Sequence, residues 1–215
     1  MSSTINEDPN DLITKPSCKE KKHTVGTLKE LLEEKDIMVN LFLMAIIWTS
    51  CAFSYYLAMF KVTFVAGNVF RNAVSQSMAD AISRPTAYIA YKYSNTKKVM
   101  FLFFMLSALG SIPVIFSQGT SEGFKKYIVP VCLWIGNFGS CANFSNLFIG
   151  HLDLFPLVFA TTTMGICNVI ARGLTVFAPL VAEVEEPYPE IIYTVLCFMA
   201  AITSFFIREK SKVYY

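Results

Sequence analysis

Six long apolar segments dominate this sequence of 215 residues, and they restrict its possible folds more than any other feature. They cover residues 37–60, 72–91, 99–117, 127–150, 157–182 and 190–207. A helix that crosses a bilayer needs about 20 mostly apolar residues, and its backbone hydrogen bonds must be satisfied internally. The sequence therefore predicts an all-α, polytopic membrane protein built as a bundle of six transmembrane helices.

The composition excludes several classes of function. Only 16% of the residues are charged, whereas soluble domains carry about 25%. The formal net charge is +2, and no basic stripe or binding motif indicates a nucleic-acid partner. No catalytic motif and no phosphate-binding loop is present, so we predict that the chain is not an enzyme. The six cysteines lack ligand-like spacing, and we expect neither a metal nor a cofactor.

The chain divides into a tail, a membrane domain and a short end. Residues 1–36 are predicted to form a polar tail outside the membrane, with a short amphipathic helix at 27–35. Residues 37–207 form the six-helix domain, and 208–215 form a basic tail. Most lysines and arginines outside the spans lie on the side that carries both termini. The positive-inside rule places both termini in the cytoplasm, or in the matrix if the membrane is a mitochondrial inner one.

Polar and charged residues inside the predicted spans form the first candidate site. Gln76, Asp80 and Arg84 recur every four residues on the second span, and Asp80 and Arg84 are predicted to form an ion pair. That pair either neutralises its own charges inside the bundle or lines a cavity. Arg172 lies within the fifth span, where an ionised side chain is costly unless it is paired or functional. Asp80 is the candidate partner of Arg172 from another helix.

A second polar face is predicted on the fourth span. Gly139, Asn143 and Asn146 share this face of the helix. Small residues allow helices to approach closely, and asparagine can form hydrogen bonds between them, so the face either packs against a neighbour or lines a cavity. Taken together, the polar faces predict a bundle with a hydrated interior, which is typical of transporters and channels.

The stretch LDLFPLVFATTTMGICNVIARGLTVFAPLV, residues 152–181, resembles a known family. It is similar to the junction of the tenth and eleventh helices in the organic-ion transporters of the major facilitator superfamily. FSYYLAMF (53–60) looks like the end of the family's seventh helix, and TLKELL (27–32) looks like the short helix that leads into it. The resemblance covers residues 27–207 and implies a fold like the C-terminal half of that family's twelve helices.

The resemblance also implies a substrate and a site. The charged position in the family's eleventh helix points into the substrate cavity and tends to be arginine in organic-anion carriers and aspartate in organic-cation carriers. Arg172 therefore looks like the anion-carrier version. If the chain is a transporter, we expect Arg172, Asn143, Asn146, Gln76 and Asp80 to contact the substrate.

Two positions depart from the family pattern. The family's basic residue after the acid-Leu-Tyr-Pro sequence is replaced by Ala160, and its Asp-Arg-x-Gly-Arg loop is replaced by KYSNTKK at 92–98. In the family these residues form a charge cluster that latches conformations during alternating access. Asp153 remains, with Lys97 and Lys98 as possible substitutes for the lost basic residues. We interpret these three residues as the remnant of the latch.

Two functions remain open at this point. In this superfamily the substrate site lies between two six-helix halves, so one half supplies one wall of a cavity. In the first interpretation, the chain is a transporter-derived, non-catalytic structural or accessory subunit of a larger membrane complex, for example a respiratory assembly of the mitochondrial inner membrane. In the second, it is a half-size transporter of organic anions that acts as a dimer or with a separate half. We expect the first, because the latch has decayed and the half stands alone.

Overall fold

The computed structural model describes residues 35–63, 69–117 and 122–208. Within these ranges every regular element is a helix, and the predicted all-α fold class is confirmed. The helices are α1 (Lys35–Lys61), α2 (Val69–Tyr93), α3 (Thr96–Phe116), α4 (Glu122–Leu154), α5 (Leu157–Thr175), α6 (Ala178–Ala182) and α7 (Tyr188–Phe206). The predicted helix at 27–35 lies outside the described residues except for its last residue, and so do residues 209–215.

Five of these helices are long and apolar enough to cross a membrane. They are α1, α3, the Ile128–Leu154 part of α4, α5 and α7. The second predicted span corresponds to α2, which has 25 residues and is long enough to cross but is more polar than the others. Its low hydropathy comes from residues such as Gln76, Asp80 and Arg84, which an isolated helix could not expose to lipid.

The predicted fifth span, 157–182, is not one continuous helix. Helix α5 ends at Thr175, a turn follows at Val176 and Phe177, and α6 begins at Ala178. Pro179 explains the break, because a proline has no N–H to donate and its ring would clash with the carbonyl of Thr175 in a continuous helix. In the observed arrangement Pro179 lies in the first turn of α6, where its missing N–H costs nothing.

The helix order in space places α1 and α4 at the centre. Helices α1, α4, α3 and α7 pack in a ring, while α5 packs against α1 and α2 packs against α4. A cluster of apolar side chains fills the interior and includes Met44, Trp48, Met100, Phe104 and Leu147. We call the end that holds the C-terminus of α1 and the N-terminus of α7 the distal end, and the opposite end, with Lys35 and Arg208, the proximal end.

Helices α3 and α4 cross in very close contact. A Cβ atom added to Gly110 would lie 2.5 Å from the backbone nitrogen of Gly136, and one added to Gly139 would lie 2.7 Å from the carbonyl oxygen of Phe103. Hydroxyl groups follow the same seam, where the Ser107 Oγ donates to the carbonyl of Gly136 at 2.9 Å. The small-residue face predicted on the fourth span is therefore a packing surface.

Candidate functional site

Helix α2 packs mainly on α4 and helix α5 packs mainly on α1, and we call the surface of α1 and α4 between them the α2–α5 groove. Its floor is aromatic. The ring of Tyr55 from α1 stacks on Phe144 from α4 with centroids 5.2 Å apart, and Phe144 meets Phe148 edge to face at 5.6 Å. Residues 144 and 148 are one helical turn apart, so α4 presents both rings on the same side. Such a floor offers an apolar surface to an organic molecule.

The α2 wall of the groove carries an ion pair. The Arg84 Nη2 donates to Asp80 Oδ2 at 3.0 Å, and the side chains of Arg84 and Asp80 are 58% and 27% exposed. Helix α2 buries only the small residues Ala79, Ser83 and Ala87, so its charged residues remain on an open side. The second oxygen of Asp80 has no hydrogen-bond partner among the described residues. The Arg84 guanidinium is thus paired with Asp80 through one nitrogen, while more than half of the side chain remains exposed.

The α5 wall carries Arg172, which is exposed. Helix α5 buries a stripe of small residues: Ala160, Thr163, Cys167 and Ala171. At 3.6 residues per turn, a second and polar stripe falls within an arc of about 80° and comprises Thr161, Gly165, Asn168, Arg172 and Thr175. The helix thus separates a packed face from a polar face, and Arg172 belongs to the polar one.

The expected contact between Arg172 and Asp80 is absent. Asp80 is paired with Arg84 on its own helix, and α2 and α5 pack on different central helices. Within the part of the chain that the structure describes, the guanidinium of Arg172 makes no hydrogen bond or ion pair. Arg84 lies one turn from Asp80 on the same helix and pairs with it, and the expected pairing of Asp80 with Arg172 is not found.

The structure places Asn143 and Asn146 away from the groove. Both side chains are 1% exposed. With its amide oriented to satisfy both neighbours, Asn143 donates to the carbonyl of Met100 at 3.2 Å and accepts from the Phe104 N–H at 2.8 Å. Asn146 is buried without a hydrogen bond in the described residues. By helical spacing both asparagines lie on the face of α4 that packs against α3, where their side chains are buried.

Gln76 lies one turn from Asp80 towards the distal end and contacts α4. Its Nε2 donates to Asn137 Oδ1 at 3.4 Å, and Asn137 donates back to the Gln76 carbonyl at 3.5 Å. Both residues line a cavity of about 80 Å³ nearer the distal end. Sequence reasoning did not identify Asn137, although its spacing from Cys141 and Phe144 placed it on the same side of α4 as the groove.

A buried ion pair closes the far wall of this cavity. The Lys61 Nζ at the end of α1 binds the carboxylate of Glu190 in the first turn of α7, and the same Nζ lies 2.9 Å from Glu186 Oε1. The side chains of Lys61 and Glu190 are only 6% and 3% exposed. This pair could not be predicted from the sequence, because charged residues next to the ends of apolar spans ordinarily face water.

At the proximal end, Asp153 connects three helices. Its carboxylate accepts hydrogen bonds from the hydroxyl of Tyr91 at the end of α2 and, at 3.4 Å, from that of Thr96 at the start of α3. Of the lysines expected near it, Lys97 is half-buried and Lys98 is exposed. The described hydrogen bonds of Asp153 thus come from hydroxyl groups that sequence analysis had not singled out.

Metal binding has no support in this geometry. Among residues 35–63, 69–117 and 122–208, no group of three or more histidine, cysteine or acidic side chains is arranged to hold an ion. The groove instead combines an aromatic floor with one arginine on each wall.

Comparison with known proteins identifies relatives of the chain. No protein-family model matches it. It is 22% identical over 205 residues to organic cation/carnitine transporter 2 of Homo sapiens, covering 94% of the chain and 36% of that protein. It is 25% identical over 171 residues to organic anion transporter 3 of Rattus norvegicus, covering 78% and 31%. It is 32% identical over 131 residues to a steroid transmembrane transporter of Oryctolagus cuniculus, covering 60% and 23%.

These findings confirm the resemblance drawn from the sequence. The chain is a relative of the organic anion and cation transporters of the major facilitator superfamily, and the similarity covers most of its length. The chain spans about a third of the length of these relatives. They are transporters and not enzymes, and with the helices above they identify the chain as a multi-pass integral membrane protein.

Proposed function

We propose that this chain forms one wall of a pathway that carries organic anions across a membrane, and that the anion binds in the α2–α5 groove. Arg172 is the observation that carries the proposal. It lies on an apolar helix, is followed by ten residues without a charge, and has no acidic partner in the described ranges. An unpaired charge within a membrane segment is costly, so an anionic ligand is the partner that such an arginine requires.

The chemistry of the groove defines the kind of anion. A guanidinium binds a carboxylate, sulfate or sulfonate group through charge-assisted hydrogen bonds, which contribute about 1.5–3 kcal/mol each. The rings of Tyr55, Phe144 and Phe148 favour an aromatic or otherwise apolar body attached to that group. Arg84 adds a second cation, whose charge Asp80 partly offsets. The groove therefore suits a monovalent organic anion with an apolar body.

A second membrane-embedded element is needed to close the groove. The exposed side of α2 carries the ion pair of Asp80 and Arg84, and lipid cannot satisfy such groups. A second copy of the chain, or another transporter half, would cover this side and complete the pathway in the way that two halves do in this superfamily. The lipid bilayer then surrounds the remaining apolar surface.

A second candidate function is that of a structural subunit in a larger membrane complex, of which a mitochondrial respiratory assembly is one example. The observation that favours it is the loss of charge at the proximal end. Ala160 stands where the family has a basic residue, and the loop at 92–98 lacks the family's acid and glycine. In such a complex the polar side of α2 would be covered by another subunit.

Reconstitution of the full chain, extracted in mild detergent, tests the proposal. Vesicles should take up a fluorescent naphthalenesulfonate in preference to the equally sized naphthyltrimethylammonium cation. We expect Arg172→Gln to reduce sulfonate uptake by about tenfold or more, because one charge-assisted hydrogen bond is lost. Arg172→Lys should retain part of the activity. Arg71→Gln, an exposed arginine of α2 that points away from the groove, is the matched control and should behave as the wild type.

The same preparation separates the two candidate functions. Its mass and composition show whether the particle contains only this chain or several proteins. Preferential uptake of the cation, or wild-type sulfonate uptake by Arg172→Gln, would contradict the anion pathway. A defined complex of several proteins that takes up neither probe would support the structural subunit.

A further inference from the structure

A second polar site lies at the distal end, one step beyond the groove. The cavity there is lined by Lys61 and Glu190, by the amides of Gln76 and Asn137, and by the ring of Tyr193. Lys61 follows Tyr55 by six residues on α1, so the cavity lies about 9 Å farther along the helix than the aromatic floor. Both charged side chains are almost fully buried, yet they border a cavity and not a packed core.

The need to hold α1 and α7 together does not explain why this ion pair is present. A buried ion pair is weak evidence for stability, because apolar residues of similar volume commonly hold a fold equally well. Helices α1 and α7 are also joined at the proximal end, where Asp36 binds Arg208 and the Asn40 side chain binds the Arg208 backbone. Polar and ionisable groups that converge on a cavity are candidates for binding a ligand or a proton, because the cavity gives either one access.

We propose that the Lys61–Glu190 pair is an anion subsite coupled to a proton, an inference that rests on the proposed anion pathway and deepens it. The anionic group of the substrate replaces the Glu190 carboxylate on the Lys61 ammonium group, and the displaced carboxylate takes one proton from solution. The ion pair, one anion and one proton become an anion bound to Lys61 and a neutral Glu190. Charge is conserved in the cavity, so the anion is accommodated without leaving a buried charge uncompensated.

The surroundings of Glu190 favour this exchange. Lys61 from α1 and Glu186, which contacts Lys61 from the segment before α7, are the charged groups that the described contacts place around it. Helices α2, α3 and α4 contribute uncharged groups to the cavity: Asn72, Gln76, Ser111, Cys132 and Asn137. The Tyr193 hydroxyl is already engaged by Ser107, Ser140 and the carbonyl of Gly136. The Glu190 carboxylate is therefore the group in this cavity that can exchange a proton as Lys61 changes partner.

Proton counting during ligand binding tests the subsite independently of transport. Naphthalenesulfonate, which stays anionic at all working pH values, is added to the purified full chain in weakly buffered detergent solution with a pH indicator. The wild type should take up one proton per bound anion, and its affinity should rise by up to about tenfold for each unit decrease in pH. Glu190→Gln should bind the probe without proton uptake and with a flat pH profile.

Two double variants serve as controls for a folding defect. Lys61→Gln combined with Glu190→Gln keeps the volume of the pair, removes both charges, and should show no proton uptake. Asp36→Asn combined with Arg208→Gln removes the exposed pair that joins the same two helices, and should keep the wild-type proton count. Binding without proton uptake in the wild type, or unchanged proton uptake in the double variant at Lys61 and Glu190, would overturn the subsite. Proton-linked binding in a protein that transports neither probe would support the subsite and refute the pathway.

Discussion

Replacement of Gly110 by alanine is the sharpest test of how α3 and α4 are held together. The added Cβ would lie 2.5 Å from the nitrogen of Gly136, 2.8 Å from its Cα and 2.9 Å from the carbonyl oxygen of Cys132. All three atoms belong to the backbone of α4, so no flexible side chain can move away. The two helices must instead separate by nearly 1 Å to restore ordinary contact distances.

The cost follows from three contributions. Overpacking of a well-packed interface costs about 1–3 kcal/mol. Separation also lengthens two hydrogen bonds of Ser107, to the carbonyl of Gly136 and to the hydroxyl of Ser140, each worth about 1 kcal/mol. The higher helix propensity of alanine offsets up to about 1 kcal/mol of this destabilisation. We therefore expect Gly110→Ala to lower the free energy of unfolding by about 2–4 kcal/mol.

A graded series of glycine variants, unfolded in mixed micelles, measures this effect. Gly139→Ala should resemble Gly110→Ala, because its Cβ would lie 2.7 Å from a backbone oxygen, whereas Gly136→Ala meets its nearest atom at 3.4 Å and should be milder. Gly165→Ala is the control, since nothing lies within 4 Å of its added Cβ, and it should be neutral or slightly stabilised. Equal stability of the Gly110 and Gly165 variants would refute the close crossing.

The remaining predictions concern the charged residues. Arg172→Ala should fold normally and change the free energy of unfolding by less than about 0.5 kcal/mol, because the Arg172 side chain is exposed and makes no described ion pair. A large decrease in the free energy of unfolding would show that Arg172 is paired. Asp80→Asn should weaken the fold by less than about 1 kcal/mol, since its pair with Arg84 is partly exposed, and should strengthen binding of the sulfonate probe in a titration by freeing that guanidinium. Lys61→Ala should cost about 3–5 kcal/mol by stranding the buried Glu190 carboxylate, and Lys61→Met with Glu190→Leu should recover most of that loss.

The number and order of the long helices could be predicted because hydropathy is a local property. Each apolar run matches one long helix, with 157–182 also containing the short α6, and among the described residues only the most polar run, α2, lacks the composition of a typical span. The helix break after Thr175 could not be predicted from hydropathy, because the residues on both sides of it are apolar and form one continuous apolar segment. Pro179 carried the missing information, since a proline excludes the hydrogen bond that a continuous helix would need there.

In the candidate site, contacts within one helix could be predicted from the sequence, whereas contacts between distant helices could not. Asp80 and Arg84 are four residues apart on one helix, so their spacing alone indicates a contact. Lys61 and Glu190 are separated by 129 positions, and only the packing of α1 against α7 brings them together. The face shared by Gly139 and Asn143 could be identified from the sequence, but its neighbour could not. In the structure this face packs against α3, where Asn143 contacts the backbone of Met100 and Phe104.

Charge balance connects the groove with the cavity beyond it. In the groove, Arg84, Arg172 and Asp80 sum to one positive charge, so a monovalent anion neutralises the site and an organic cation meets a net repulsion. In the cavity, Lys61 and Glu190 sum to zero and the neighbouring Glu186 carboxylate adds a negative charge, so the proposed entry of an anion requires a compensating positive charge. A proton supplies that charge at Glu190. In the proposed pathway, an anion that passes from the groove to the cavity leaves a site selective for its charge and enters one that binds it together with a proton, so the order of the two sites couples selectivity to proton movement.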